Sequence, residues 1–224
     1  MSQADPYKVV LIGESGVGKT CIIAQFTNGK FDPNTVTSLT AQYIKKIIEF
    51  PDGRSLTFDI WDTAGQEKYR SLAKIFYKDA KAVILVYDVT SEKSFKELKD
   101  YWYEQIKQLS SKDIIIAIAA NKSDLYEEKQ VSNEDGEAFA KEIHAIFVST
   151  SAKNDSGIRA LFDNIAQKIF DPNFDFAAAE KKKKDDYKKK KQAENVSDNN
   201  ASANKGVKLN AQTQKKDDKK KGIC

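Results

Sequence analysis

The octapeptide Gly13-Glu14-Ser15-Gly16-Val17-Gly18-Lys19-Thr20 constrains this chain more than any other stretch in it. It follows an apolar run, Val9-Val10-Leu11-Ile12, and opens into a helix-like run over 21–26. Strand, glycine-rich turn ending in Lys-Thr, then helix is the arrangement of a phosphate-binding loop. Glycines let the backbone curl so that successive N–H groups face phosphate oxygens. The helix N-terminus adds further donors and a partial positive charge. On this reading Lys19 reaches the β- and γ-phosphates, and the Thr20 hydroxyl ligates Mg²⁺. The ligand expected is a nucleoside triphosphate.

A second signal names the base. Asn121-Lys122-Ser123-Asp124 directly follows the buried-strand run over 114–120. In an α/β sheet, ligands sit at the carboxyl ends of strands. A carboxylate there accepts two N–H donors from the guanine edge, whereas adenine offers no such pair. Asp124 therefore discriminates by leaving its acceptors unpaired against the wrong base. Asn121 is expected to brace the loop and contact the base.

A third signal, Asp62-Thr63-Ala64-Gly65-Gln66-Glu67, leaves an alternating strand marked by Leu56, Phe58 and Ile60. Asp62 is placed to serve Mg²⁺ from its outer sphere. Gly65 lets its N–H approach a γ-phosphate. Gln66 would orient the attacking water, because phosphoryl transfer depends on positioning and electrostatics more than on covalent chemistry.

With these motifs in this order, the chain resembles the Ras-like small GTPases, and most closely the Rab family, over about residues 7–172. The Rab-like details are Trp61 before Asp62, Glu67-Lys68-Tyr69-Arg70-Ser71-Leu72, Phe76-Tyr77-Lys78-Asp79-Ala80 and Leu85-Val86-Tyr87-Asp88-Val89-Thr90. The resemblance implies a P-loop three-layer α/β sandwich with a six-stranded, mostly parallel sheet. It places Ser15, Gly16, Val17, Gly18, Lys19, Thr20 and Cys21 around the phosphates, and Ser151-Ala152-Lys153 along the base pocket. Phe31 would stack on the guanine, with Lys122 along its other face. Tyr43, Trp61 and Phe76 would form the aromatic triad that effectors read. The resemblance further implies exchange factors, GTPase-activating proteins, a GDP-dissociation inhibitor or escort protein, and a monomeric chain.

The switch I segment departs from the family. Its Mg²⁺-ligating Thr falls at Ser38, within Ser38-Leu39-Thr40-Ala41-Gln42-Tyr43, where Rabs read Thr-Ile-Gly-x-Asp-Phe. Serine keeps the oxygen but loses the methyl that stiffens χ1. Thr37 or Thr40 could take the role if the register shifts. Pro51-Asp52-Gly53 has turn chemistry and is expected at a hairpin tip with no function of its own.

Charge divides the chain. From Asn173 onward there are 15 Lys and 8 acidic residues, a net of +7, which leaves about −3 for residues 1–172. The expected organisation is a G domain over 1–172 and a disordered basic tail over 173–224, which has too few large apolar residues to bury a core. The two cysteines argue for a reducing compartment. Cys21 reads as a small buried packing residue, and the only histidine, His144, as a surface or strand-edge group. With no Cys/His cluster, the only metal expected is Mg²⁺.

Cys224 ends the sequence after Lys219-Lys220-Lys221-Gly222-Ile223. In Rab-like proteins terminal cysteines receive geranylgeranyl groups, though most carry two. One lipid anchors marginally, and the lysines at 181–191 and 215–221 can supply a second signal toward anionic lipid. The alternative is that they only solubilise the tail. A nucleic-acid arm is disfavoured, because Arg is missing and the only interleaved aromatic is Tyr187.

Strand-like runs fall at 9–12, 43–50, 56–61, 82–87, 114–119 and 145–148. Phe95, Leu98, Trp102, Ile106 and Leu109 share one helical face, as do Ile158, Leu161, Phe162, Ile165 and Ile169. Ser156 is a candidate cap for the second of these helices, and Asp171-Pro172 its stop. The functional expectation is a Rab-like GTP-hydrolysing switch in vesicle trafficking, cytoplasmic and reversibly attached to an endomembrane. The alternatives are a low-turnover guanine-nucleotide scaffold, or a signalling or nuclear-transport GTPase without lipid.

Overall fold

A computed structural model describes residues 5–35, 42–63, 78–111 and 113–176. The chain divides into two units, Met1–Phe174 and Asp175–Cys224, and the second lies almost wholly outside the described residues. The first is built on six strands: β1 (Tyr7–Ile12), β2 (Gln42–Glu49), β3 (Ser55–Asp62), β4 (Ala82–Asp88), β5 (Ile115–Asn121) and β6 (Ile146–Ser149). Their spatial order is β2-β3-β1-β4-β5-β6. Every neighbouring pair is parallel except β2 with β3.

Burial follows this topology. All seven residues of the central β4 are buried, as expected for a parallel strand covered on both faces. The edge strand β2 leaves Tyr43 and Ile47 exposed. Helix α1 (Lys19–Asn28) and helix α4 (Ile158–Phe170) pack together on one face, where Phe26 stacks on Phe162 at 3.7 Å. The other face carries α2 (residues 92–109) and α3 (Asn133–Glu142). There Phe95, Leu98, Trp102, Ile106, Phe139 and Ala140 meet Val10, Ile12, Leu85, Tyr87 and Ile118 in one cluster. Among the described residues no helix is long and apolar enough to cross a membrane.

Serine side chains cap two of the helix starts. Ser91 and Ser132 accept the N–H of Ser94 and Asp135 at the starts of α2 and α3. The expected Ser156 cap is absent. Ser156 instead exchanges two backbone bonds with Ser151, at 2.9 and 3.0 Å, and the residue before α4 is Gly157 in the left-handed conformation. An added Cβ there would meet the Ser149 carbonyl oxygen at 2.2 Å, so only glycine fits the turn. The helix stops at Phe170, with Asp171 extended.

Helix α2 is irregular. Its middle third, Leu98–Tyr103, is π-helical between two α segments. Leu98, Trp102 and Ile106 are buried, but Leu109 is 41% exposed and leaves the expected face. At the β2–β3 hairpin the turn chemistry is realised. Gly53 N–H donates to Phe50 O, and Asp52 accepts from both the backbone and the side chain of Arg54. The Arg54 guanidinium lies 4.4 Å from the Phe170 ring centre, tying the hairpin to the end of α4.

Candidate functional site

The sheet topology puts the carboxyl ends of β1, β3, β4 and β5 at one edge, where the loops after β1, β4 and β5 begin. The loop after β1 is pressed onto the sheet: an added Cβ at Gly13 would lie 2.2 Å from the Val86 carbonyl oxygen. Gly18 has φ 95, and a Cβ there would meet the Asn121 amide nitrogen at 2.4 Å. Glycine at 18 is what lets the phosphate loop and the base loop touch. Ser15 and Gly16 form the exposed lip, and Val17 is buried beneath it.

Lys19 is 5% exposed. Its ammonium donates to the carbonyls of Gly13 and Glu14, both at 2.9 Å, so it lies along the inside of the loop. Burial lowers its pKa from 10.5 to about 8, while the charges of Asp62 and Glu14 act in the opposite sense. A polyphosphate arriving at the loop would stabilise the charged form further. The Thr20 hydroxyl donates to Asp62 Oδ2 at 2.6 Å. These are two hard oxygen groups, one on the helix start and one at the end of β3. That donor set suits Mg²⁺, which binds one or two protein oxygens together with substrate phosphates. Thr63, next to Asp62, donates its hydroxyl to Leu11 O at 2.6 Å.

The base loop is cross-linked. Asn121, 2% exposed, donates its amide to Val17 O at 2.8 Å and accepts from the Thr150 hydroxyl at 3.3 Å. Buried and paired on both ends, this amide braces the phosphate loop. Orphaning a buried partner of this kind costs about 1–3 kcal/mol. Asp124 accepts the Ser151 hydroxyl at 2.6 Å, and the Lys153 ammonium lies 4.0 Å from its other oxygen. Ser123 N–H donates to Thr150 O at 3.0 Å. Ala152 is buried between these groups in the chain. The structure thus brings the Asn-Lys-Ser-Asp and Ser-Ala-Lys segments into contact.

Other expected residues are placed as follows. Cys21, in the first turn of α1, is half-buried, not fully buried as expected. Phe31 is 36% exposed on the segment after α1. Tyr43 and Trp61 stack at 5.6 Å across the β2–β3 pair, with the Lys8 ammonium 5.0 Å from the Trp61 ring centre. His144 is exposed in the turn before β6, with φ 55. Ser38 with Thr37 and Thr40, Gly65, Gln66, Phe76 and Cys224 lie outside the described residues.

Two residues had no assigned role in the motifs. Asp88, at the end of β4, pairs with the Lys122 ammonium at 2.6 Å and accepts from the Thr90 N–H and hydroxyl. It fixes Lys122, whose backbone is left-handed at φ 63. An acid ending a fully buried strand was the available signal. Trp102 donates its indole N–H to the Glu14 carboxylate at 3.1 Å. No spacing in the sequence announces that contact.

A glycine-rich turn between a buried strand and a helix, with a buried lysine lying along it and a second strand-end loop bonded to it, is the arrangement of a P-loop nucleotide-binding protein. Residues 8–171 match the Ras family. The chain is 42% identical over 162 residues to Ras-related protein Rab-22A of Homo sapiens, covering 72% of this chain and 82% of that protein. The Rab-22A proteins of Mus musculus and Canis lupus familiaris match with the same identity and coverage. The chain belongs to the Ras family, as a Rab-like small GTPase.

Proposed function

We propose that this chain is a GTP-hydrolysing switch in vesicle trafficking, carried on the cytosolic face of an endomembrane. The observation that carries the reading is the 2.8 Å bond from Asn121 to Val17 O, which welds a base-reading loop to a phosphate-reading loop. Backbone N–H groups of Ser15, Gly16, Val17, Gly18 and Cys21, with Lys19, hold the phosphates. Asp124 reads guanine, supported by Ser151, Ala152 and Lys153, and Phe31 and Lys122 flank the base. Thr20, Ser38 and Asp62 hold Mg²⁺, which offsets the phosphate charge when bound. Gly65 contacts the terminal phosphate and Gln66 orients water.

Two segments, about 31–43 and 63–76, are held by the γ-phosphate and released on hydrolysis, a change that effectors read on Tyr43, Trp61 and Phe76. Intrinsic turnover is slow, since no arginine finger is evident in the chain, and an activating protein accelerates it. An exchange factor reloads GTP, and a dissociation inhibitor or escort protein handles the lipidated form. The G domain spans 1–172, and the basic tail over 173–224 carries a prenyl group on Cys224.

Single-turnover GTP hydrolysis by the purified chain tests the switch. Gln66→Leu should lower the rate by at least tenfold, in keeping with the role of a water-positioning residue. Equal rates in the two proteins would instead favour a low-turnover scaffold. The mass of the native C-terminal peptide tests the anchor, and an unmodified thiol removes it.

A further inference from the structure

We propose that Trp102 is a positioning residue for the phosphate loop, acting through its hydrogen bond to the Glu14 carboxylate. This deepens the nucleotide-switch reading and rests on it. Glu14 is the second residue of the loop and does two things at once. Its carbonyl accepts the Lys19 ammonium at 2.9 Å, and its carboxylate accepts the Trp102 indole N–H at 3.1 Å. Whatever fixes the Glu14 side chain therefore also limits where its carbonyl, and with it Lys19, can sit.

Trp102 is well suited to fix it. The side chain is 1% exposed and embedded in the cluster that α2 shares with β4 and β5. A buried indole gains by giving its N–H to a partner, and a charged acceptor makes the bond stronger than a neutral one. The backbone of α2 is altered at the same place. Trp102 lies in the π-helical stretch Leu98–Tyr103. A π turn is uncommon inside an α-helix and is found most often at functional sites. Here the wider turn carries the indole toward a loop 88 residues away in sequence. The core of the domain thus reaches the loop through Glu14, one residue before the exposed Ser15 and Gly16.

The test is a double-mutant cycle on release of fluorescent methylanthraniloyl-GDP from the Mg²⁺-loaded full chain, chased with excess GDP. Trp102→Phe keeps the bulk of an aromatic ring and removes the donor. We expect release about tenfold faster than in the parent, the scale of a lost bond to a charged group. In a Glu14→Ala background the same Trp102→Phe change should alter release by less than about twofold, because the bond is already gone. Equal acceleration in both backgrounds, or none in either, overturns the proposal and leaves Trp102 a packing residue.

Should Trp102→Phe not fold, Glu14→Gln and Glu14→Ala carry the test, with Trp102 intact. Glutamine keeps a carbonyl acceptor, so its release should stay within about threefold of the parent while alanine is faster. Matching rates for the two overturn the proposal. A parent chain that binds no guanine nucleotide would defeat the nucleotide-switch reading itself, which distinguishes that failure from this one.

Discussion

Gly136 sits inside α3, where alanine ordinarily stabilises a helix by about 1 kcal/mol over glycine. The structure reverses that sign. A methyl group at 136 would lie 2.5 Å from Phe147 Cε2 and 2.6 Å from the Tyr87 hydroxyl oxygen. Phe147 belongs to β6 and Tyr87 to the fully buried β4, so neither neighbour is the loose end of a flexible side chain. Overpacking of this kind costs about 1–3 kcal/mol, which exceeds the helix gain. Gly136→Ala should therefore destabilise by up to about 2 kcal/mol net, lowering the midpoint by up to roughly 8 °C for a domain of this size. The assay is thermal unfolding by far-ultraviolet circular dichroism at fixed GDP and Mg²⁺, because ligand concentration itself moves the midpoint. Tyr87→Phe removes one of the two contacts. Among the described residues the Tyr87 hydroxyl has no hydrogen-bond partner, so that change alone should be close to neutral. In the Tyr87→Phe background the Gly136→Ala penalty should fall by about half, the signature of coupled neighbours. A raised midpoint for Gly136→Ala in the parent refutes the reasoning.

The remaining expectations concern the site and its frame. Asn121→Ala should weaken GDP binding by about tenfold or more, since it orphans Val17 O and Thr150 together; titration of fluorescent GDP reads this, and unchanged affinity counts against the brace. Arg54→Ala should lower stability by about 0.5–1 kcal/mol through loss of the contact with Phe170, with GDP release untouched. Urea unfolding and nucleotide release measured on one preparation separate the two effects.

Much of the site is local in sequence, and for that reason legible. Gly13 to Thr20 carry their chemistry in eight consecutive residues. The strands showed as apolar runs and were displaced by only a residue or two at their ends. Contacts across the fold were not legible. Asp88 meets Lys122, and Glu14 meets Trp102, over separations that no local pattern encodes. Ser156 looked like a helix cap because serine favours caps, but pairing with Ser151 claimed its backbone and moved the boundary to Gly157. Leu109 fitted a regular helical stripe, yet α2 contains a π turn, and the last residue of the stripe emerges on the surface. Cys21 matched the profile of a small core residue but is only half-buried. The order of the strands was not legible, since periodicity identifies strands without saying which are neighbours.

Asp124, held by Ser151 and approached by Lys153, is the residue we propose to select the base. Competition binding of GDP and ADP to the purified chain, repeated with Asp124→Asn, addresses it most directly. A site built to pair buried acceptors should prefer GDP by about 10⁴-fold or more, and the amide variant should lose most of that margin. Similar affinities for the two nucleotides in the parent, or a preference that survives Asp124→Asn intact, would contradict it.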